Sequence, residues 1–343
     1  NKIKEAVLDQ IEKYWHVMVY GEFIQEPTVK LCELISNNLP NSLSNTYLTN
    51  SGTEAMEAAM KLAKRVTGRS EFIAAKNSYH GNTQGAMSIM GFEERKRAYR
   101  PLLPDVNFIE FNNESDILLI NSKTSAVVLE TIQGGAGFIT PSKNYLKKIK
   151  NQCEKVGALL ILDEIQPGIG RTGKLFAFEH YGIIPDILVY GKGLGGGFPI
   201  GALSSSFDNM SLFKENPILG HITTFGGHPV ISAAAYANLK ETLNSGIIDS
   251  VNQKEKLFRK HLKHELIDEI RGKGLMLAII LKENNASYKL VSKCLEKGLI
   301  LFYLLFETKA VRITPPLTIS NDEIKKGCKI IIQVLDELNK SVH

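Results

Sequence analysis

Glu130, Asp163 and Lys192 each stand at the end of a short apolar run. Runs of this length, bounded by glycine and proline, are typical of buried strands in a parallel sheet. The carboxyl ends of such strands meet at one edge of an open α/β sheet, and ligands bind there. One charge after a strand is usually only the first solvated residue of a loop. Three in succession indicate a site in which an amine faces two carboxylates.

Helix and strand patterns alternate around these residues. Apolar periodicity predicts one helix over residues 55–66 and another over residues 142–157, each stopped by a glycine. Strand-like runs follow at residues 72–75 and 159–162. This alternation predicts an α/β fold with a mostly parallel central sheet flanked by helices.

The carboxyl-terminal part of the chain changes character. A long helix is expected over residues 231–243, and a capping box at Ser320 predicts the start of the last helix. The strand-like runs between them lie at residues 275–281, 299–303 and 311–314. We therefore expect a helical segment over 1–36 that belongs with a small domain, a large domain over 37–245, and a smaller α+β domain over 246–343.

The composition is that of a globular protein and argues against two classes of partner. The 343 residues include 41 basic and 36 acidic side chains, and the net charge of +5 is too small to indicate nucleic-acid binding. No apolar stretch is long enough to span a membrane, and no signal-peptide pattern is present. Because the chain begins at Asn1, an opening segment before it remains an open alternative.

Cysteine and charge patterns predict no further site. The four cysteines lie far apart, at Cys32, Cys153, Cys294 and Cys328. Their spacing fits neither a metal site nor a disulfide framework, so we expect no metal and a cytoplasmic protein with free thiols. The densest charge cluster, residues 93–97, mixes both signs and favours a solvated helix face.

Residues 51–54 form a second candidate for chemistry. Ser51 and Glu54 have the spacing of a capping box, which alone would explain them as a helix start. The same helix start can also hold a phosphate, because Gly52 lets the backbone approach, Thr53 adds a hydroxyl, and free N–H groups favour an anion. The glycine-rich stretch around Lys192 does not match a nucleotide-binding P-loop, since a glycine follows the lysine.

A lysine at a strand end, an acid on the neighbouring strand and a phosphate cradle together meet the requirements of pyridoxal 5′-phosphate. Lys192 would form the Schiff base, and Asp163 would keep the pyridinium nitrogen protonated. A protonated ring accepts the electrons released when a proton leaves the substrate carbon. A desolvated lysine has a lowered pKa, so Lys192 could also move that proton.

Six motifs in order resemble the class-III aminotransferases, which include the ornithine, acetylornithine and 4-aminobutyrate enzymes. They are Ser51-Gly52-Thr53-Glu54-Ala55, Tyr79-His80-Gly81, Glu130-Thr131-Ile132-Gln133-Gly134, Asp163-Glu164-Ile165-Gln166, Gly191-Lys192-Gly193 and Thr223-Thr224-Phe225-Gly226-Gly227. The resemblance continues to the stretch at residues 312–317 and so covers nearly the whole chain. It implies a fold-type-I pyridoxal-phosphate transferase whose large domain binds the cofactor.

The resemblance also implies roles for residues around the cofactor ring. Lys192 looks like the lysine that forms the aldimine, and Asp163 like the partner of the pyridinium nitrogen. Gln166 is expected to hydrogen-bond the phenolic oxygen, while Ile165 and Tyr79 would enclose the ring. Taken alone, Tyr79 is more typical of a core residue than of a cofactor wall.

A shared site in a homodimer is a further implication. Residues 51–53 resemble the part of one subunit that holds the phosphate, and Thr224 resembles the residue that reaches it from the other subunit. His80 and Glu130 lie in the same motifs and are expected to bind the cofactor. Without the resemblance, Thr224 would be an ordinary loop hydroxyl.

Substrate recognition is where this sequence departs from the family. Arg312 resembles the arginine that takes a substrate carboxylate, although alone it fits a surface arginine equally well. Thr223, Asn82 and Gly135 are also expected at the substrate. Ornithine and acetylornithine enzymes have an arginine where this chain has Asn82, and a glutamate that shields the substrate arginine where it has Gly135. The missing glutamate predicts that Arg312 is unpaired and open to an anion.

The sequence therefore predicts a transaminase that moves an amino group from an amino acid or ω-amine donor to a 2-oxo acid such as 2-oxoglutarate or pyruvate. The donor is expected to resemble ornithine, acetylornithine or 4-aminobutyrate. An aminomutase, racemase or decarboxylase with the same cofactor is the alternative, because Asn82 and Gly135 alter the carboxylate-binding residues. A third alternative is a phosphate-binding module that has lost catalysis, against which Lys192 and Asp163 argue.

Overall fold

The computed structural model describes residues 2–284 and 286–340, so Asn1, residue 285 and residues 341–343 of the expected domains lie outside it. A seven-stranded sheet forms its centre, in the order β1-β7-β6-β5-β4-β2-β3. The strands are β1 (Asn45–Thr49), β2 (Glu71–Ala75), β3 (Val106–Ile109), β4 (Thr124–Glu130), β5 (Leu159–Asp163), β6 (Ile187–Gly191) and β7 (Gly201–Ser205). Only β7 runs against its neighbours, which confirms the expected mostly parallel α/β fold.

Helices cover both faces of this sheet. In order along the chain they are α1 (Lys2–Lys13), α2 (Glu26–Ser36), α3 (Gly52–Thr67), α4 (Gln84–Ser88), α5 (Tyr145–Val156), α6 (Phe207–Ser211) and α7 (Pro229–Asn244). Along β4, Val127 and Leu129 pack into one apolar cluster, while Ala126 and Val128 pack into the other. This alternation has the two-residue period of a strand, and burial on both faces explains why the strands are continuous apolar runs.

A second sheet of four antiparallel strands follows, in the order β10-β11-β9-β8. Its strands are β8 (Ile267–Lys273), β9 (Met276–Leu281), β10 (Phe302–Tyr303) and β11 (Ala310–Ile313), and its helices are α8 (Ile247–His261), α9 (Ala286–Glu296) and α10 (Asn321–Lys340). These elements share one apolar core. We propose a large domain that ends after α7 and a small domain that begins near α8. None of the helices in the described ranges is long and apolar enough to cross a membrane.

The first two helices pack on α7, which covers the large sheet. Leu31 and Ile35 of α2 are buried in the same cluster as Ala235 and Leu239 of α7. The ammonium of Lys2 in α1 also forms an ion pair with an α7 carboxylate. The expectation places residues 1–36 with the small domain; on the basis of these contacts we propose that they belong with the large one.

The charge cluster at residues 93–97 is exposed at four positions, as expected, but it is not a regular helix and its remaining residue, Lys96, is buried. It forms two short 3-10 turns, and Lys96 within it is only 3% exposed. The Lys96 ammonium donates a hydrogen bond to the Met90 carbonyl at 2.7 Å and lies 4.0 Å from the centre of the Phe108 ring. Sequence periodicity could not predict the burial of Lys96, because it does not reveal the carbonyl and the aromatic face that compensate the buried cation.

The two predicted capping boxes agree with the structure fully at α10 and partly at α3. At α10, Ser320 and Glu323 exchange backbone and side-chain hydrogen bonds at 2.8 and 3.2 Å, as the sequence predicts. At α3, Ser51 accepts from the Glu54 N–H at 3.4 Å, but the Glu54 carboxylate reaches back to the Asn50 N–H at 2.8 Å. The cap on α3 therefore extends one residue farther than expected.

Glu164 is a fully buried carboxylate at the end of β5. It accepts three hydrogen bonds, from the Thr131 hydroxyl at 2.9 Å and from the N–H groups of Ala177 and Phe178 at 2.5 and 2.6 Å. Burial raises the pKa of Glu164 to about 7, and these donors oppose the shift. One side chain thus ties the loop after β4 and a 3-10 turn to the end of β5.

Replacing Glu164 by alanine should leave three buried hydrogen-bond donors without an acceptor. We expect Glu164→Ala to lower the free energy of unfolding by at least about 2 kcal/mol, since each unsatisfied buried donor costs roughly 1–3 kcal/mol. Urea unfolding monitored by circular dichroism measures it. Glu179→Ala is the matched control, because Glu179 is exposed and accepts one N–H of the same turn at 2.7 Å. Equal losses in both variants would contradict the role of Glu164.

Candidate active site

The carboxyl ends of β4, β5 and β6 bring the three strand-end charges together. Glu130 and Asp163 are direct neighbours in the register of β4 and β5, and Asp163 pairs with Val189 of β6. Lys192 directly follows β6, three residues after Val189, the last β6 residue that pairs with β5. All three charged side chains line one cavity. The parallel sheet therefore produces the amine facing two acids.

Lys192 is the first residue of a 3-10 turn, Lys192–Gly195, and has a backbone φ of 40°. Side chains rarely adopt this left-handed conformation, and such strain is concentrated at functional sites. The side chain is exposed to the cavity, yet the surrounding walls desolvate it and lower the pKa of its amine below 10.5. Asp163 and Glu130 oppose that shift. The Lys192 amine therefore loses its proton more easily than that of a free lysine.

Asp163 is a buried carboxylate, 4% exposed, whose two oxygens have separate partners. One accepts from the Ile165 N–H at 3.0 Å, and the other lies 2.8 Å from Nδ1 of His80. A carboxylate oxygen can only accept, so an ionised Asp163 requires the proton of His80 on Nδ1. Nε2 of His80 is buried without a hydrogen-bond partner among the described residues.

Glu130 connects two walls of the cavity. Its Oε1 accepts from the Gly134 N–H at 2.9 Å and its Oε2 from the Tyr79 N–H at 3.3 Å. Burial raises the pKa of Glu130 to about 7, while His80 and the two N–H donors lower it and Asp163 raises it. Glu130 thereby positions both the Tyr79 loop and the loop that begins at Gly134.

The start of α3 forms an anion cradle at one end of the cavity. The backbone N–H groups of Gly52 and Thr53 lie in the first turn, where a helix offers no internal acceptor. A Cβ at Gly52 would lie 2.5 Å from Cδ1 of Ile165, so a larger residue there would have to displace the Ile165 side chain. Likewise, a Cβ at Gly81 would lie 2.1 Å from the Thr53 hydroxyl. The cradle is thus packed directly against the neighbouring loops.

The cavity has a volume of about 580 Å³ and unites most of the expected site residues. Its walls include Ser51, Gly52, Thr53, Tyr79, His80, Asn82, Glu130, Gly135, Asp163, Ile165, Gln166, Lys192 and Arg312. Two expected residues are absent from the walls. Thr223 accepts from the Gly226 N–H at 2.9 Å, and Thr224 is exposed at the surface. Within a single protomer, neither threonine reaches the cavity.

Arg312 enters the cavity from β11 and lies opposite Phe302 of β10. Its guanidinium is 5.2 Å from the centre of the Phe302 ring, and desolvation lowers its pKa. Among the described residues it has no carboxylate within salt-bridge distance and no hydrogen-bond partner. Arg312 is therefore positioned by an aromatic ring and available to an anion.

The sequence did not indicate the aromatic residues around Arg312 and Gly135. Phe198, Phe302 and Tyr303 line the cavity, and Phe306 lies directly behind Gly135. The double glycine at residues 134–135 was the available signal that something large approaches the backbone. It could not identify Phe306, which is distant in the sequence.

The comparison with known proteins decides the family. The family model described as "Aminotransferase class-III" matches residues 1–335. The chain belongs to the class-III aminotransferase family. It is accordingly a pyridoxal-phosphate-dependent transaminase, as the order of its motifs predicted.

Curated relatives and solved structures agree with this assignment. The aminotransferase is 37% identical to the acetylornithine aminotransferase of Caldanaerobacter subterraneus, over 97% of this chain and 86% of the relative. It is 38% identical to the putrescine aminotransferase of Pectobacterium atrosepticum, over 90% of this chain and 69% of the relative. The crystal structure of ornithine aminotransferase from Toxoplasma gondii, which has partial occupancy of pyridoxal phosphate, superimposes with a TM-score of 0.91 at 27% identity, covering 99% and 82% of the two chains.

The residues of this aminotransferase fit the cofactor. The cavity contains an anion cradle, an amine of lowered pKa and a buried carboxylate. The cradle suits the phosphate of the cofactor, the amine suits its aldehyde, and the carboxylate suits its ring nitrogen. The fit depends on the close approach of Gly52 to Ile165, which a larger residue would prevent.

Gly201 gives a test of the cradle from outside the cavity. A Cβ at Gly201 would lie 2.0 Å from the Ser51 carbonyl oxygen, which also accepts the Ala55 N–H in the first turn of α3. We expect Gly201→Ala to weaken retention of pyridoxal phosphate about tenfold or more, because overpacking of this kind costs roughly 1–3 kcal/mol. Equilibrium dialysis with absorbance detection measures the retention.

Gly327→Ala in α10 is the matched control for that variant. Its added Cβ would have only an ordinary contact, 3.8 Å from Cδ1 of Leu299, and alanine favours a helix. Retention should therefore stay at the unmodified level. Equal cofactor retention in Gly201→Ala and Gly327→Ala would show that the start of α3 does not hold the phosphate.

Proposed function

We propose that Lys192 is the lysine to which pyridoxal phosphate attaches and that Asp163 binds the ring nitrogen. When bound, the cofactor supplies an electron sink for the transfer of an amino group. The lowered pKa of Lys192 supports its attachment and its later use as the base that moves a proton at the substrate carbon. The burial of Asp163 supports its role, because a dry carboxylate stabilises a positive ring strongly.

Further residues are assigned to the cofactor by their positions in the cavity. Tyr79 and Ile165 would enclose the ring, and Gln166 would hydrogen-bond its phenolic oxygen. Ser51, Gly52 and Thr53 would hold the phosphate at the start of α3. His80 would fix the orientation of the Asp163 carboxylate through the 2.8 Å contact. Glu130 would act by holding the Tyr79 loop in place.

We also propose a homodimer in which Thr224 of one subunit reaches the phosphate of the other. Large apolar side chains are exposed in two segments, including Trp15, Ile24 and Ile218 at 67, 90 and 79%. The segments are neighbours, since the rings of His16 and Phe225 lie 4.9 Å apart. A shared apolar surface beside Thr224 is what a subunit interface at the site requires.

A cytoplasmic location is proposed from the thiols. Cys32, Cys153, Cys294 and Cys328 are all free. Burial raises the pKa of Cys153 and of Cys328 to about 12, which keeps these thiols protonated and unreactive. Buried unpaired cysteines are usual for proteins in a reducing compartment.

The substrates are proposed to be an amino donor and a 2-oxo acid that each present a carboxylate to Arg312. The observation that supports this is the half-buried guanidinium of Arg312 with no acidic partner among the described residues. The acetylornithine aminotransferase relative matches the proposal, because its substrate is an amino acid. The putrescine aminotransferase relative makes a diamine donor the competing outcome.

Lys192→Ala tests the central assignment. The variant should lack the visible absorbance band that borohydride discharges, and transamination should fall by at least about 1,000-fold, because the attachment point and the base are lost together. Absorbance spectra and a coupled assay with 2-oxoglutarate or pyruvate measure the two effects. Lys123→Ala removes an exposed lysine outside the cavity and should change neither. Full activity in Lys192→Ala would overturn the assignment.

Asn82→Arg tests the proposed substrate end of the cavity. The new guanidinium should strengthen binding of substrates with a second carboxylate, such as glutamate, by about 1.5–3 kcal/mol, since charged hydrogen bonds have that strength. The KM for glutamate reports it. Asn82→Gln adds length without charge and should leave the KM nearly unchanged. An unaltered KM in Asn82→Arg would mean that position 82 does not face the substrate.

A further inference from the structure

Phe306 occupies the space that a side chain at position 135 would need. A Cβ built at Gly135 would lie 2.7 Å from both Cδ2 and Cε2 of the Phe306 ring. The Phe306 N–H also donates to the Gly135 carbonyl at 3.0 Å. Gly135 lines the cavity while Phe306 is absent from the described residues that line it, so the ring packs directly behind the Gly135 backbone.

Several contacts fix this ring in place. Phe306 stacks on Phe92 with ring centres 4.5 Å apart and an interplanar angle of 23°. The guanidinium of Arg95 lies 5.8 Å from the centre of the Phe306 ring. Together with the hydrogen bond to Gly135, these contacts join three separate chain segments at one point. Contacts on several sides hold the ring in one position behind Gly135.

The character of this wall is apolar. Besides the residues assigned to the cofactor, Arg312 is the one charged side chain among the described residues that line the cavity. Leu304 and Leu305 continue the wall from the Phe306 segment, and Phe302 lies beneath the Arg312 guanidinium. A substrate that places its carboxylate on Arg312 therefore meets hydrocarbon on the side of Gly135.

We propose that Phe306 is a specificity-determining residue of this aminotransferase, and that Gly135 is required to let its ring pack behind the cavity wall. The wall limits how far the uncharged arm of a monocarboxylate substrate can extend past position 135. This inference rests on the proposed binding of the substrate carboxylate by Arg312. It does not depend on which residue carries the cofactor.

Binding of unreactive carboxylates to the holoenzyme tests the wall without turnover. Butanoate, hexanoate and octanoate share the carboxylate and differ only in the length of the arm. Calorimetric titration should give Phe306→Ala a preference for octanoate over butanoate about tenfold greater than in the unmodified protein, because added methylenes become buried in the new space. Phe306→Leu should give a smaller shift in the same direction and serves if the alanine variant does not fold.

Phe111→Ala is the matched control for loss of an aromatic ring. Phe111 is half-buried, packs on Tyr145 with ring centres 5.4 Å apart and does not line the cavity. The Phe111→Ala variant should have a lower thermal midpoint of unfolding, while the order of its carboxylate affinities stays unchanged. A parallel change in all three affinities in both Phe306 variants would overturn the proposal, since it would mean that the ring has only a structural role.

A double-mutant cycle with Gly135→Ala tests the pairing. In the unmodified protein the added methyl must displace the ring, so Gly135→Ala should weaken hexanoate binding about tenfold. In the Phe306→Ala background the same methyl has space, and the loss should be less than about twofold. Equal losses in the two backgrounds would show that Gly135 and Phe306 are independent. Failure of Lys192→Ala to abolish transamination would overturn the cofactor assignment and leave this result standing.

Discussion

The site depends on keeping one carboxylate, that of Asp163, buried from solvent at the edge of the large sheet. A buried carboxylate is costly unless its oxygens are satisfied, and here the Ile165 N–H and His80 satisfy them. These two partners also shape the cavity. Ile165 packs on the glycine that opens the anion cradle, and His80 belongs to the loop that presents Tyr79. The contacts that satisfy this one charge therefore also position the loop that presents Tyr79 and the anion cradle at the start of α3.

Strand ends and helix starts could be predicted from the sequence because their signals are local. A strand covered on both faces must be an apolar run, so the charges at the ends of β4, β5 and β6 predicted the edge of the sheet at which the cavity lies. The packing of residues 1–36 on α7 could not be predicted, because an apolar helix face does not specify its partner. The burial of Lys96 and the contact of Phe306 with Gly135 likewise depend on distant residues that sequence spacing cannot join.

The two sheets contribute different parts of the site. The large sheet and its loops provide the groups that fit the cofactor, whereas Arg312, Phe302 and Phe306 all come from the small sheet and its loops. Half-buried Arg171 joins the two parts by donating to the Leu275 and Pro315 carbonyls, and the Phe306 N–H joins them again at Gly135. Under the proposed function, the residues for cofactor chemistry and those for substrate choice can therefore change separately, provided that these junctions are kept.

Under the proposed function, the unpaired Arg312 gives a carboxylate on the substrate a large contribution to binding. Desolvation has already lowered the pKa of this guanidinium, and the Phe302 ring holds it without neutralising it. A substrate carboxylate then gains a charged hydrogen bond without first displacing an acidic partner, and little freedom is lost because the arginine is pre-positioned. A glutamate at position 135 could provide such a partner only if Phe306 moved away. The aromatic wall and the open arginine are thus two consequences of the same glycine.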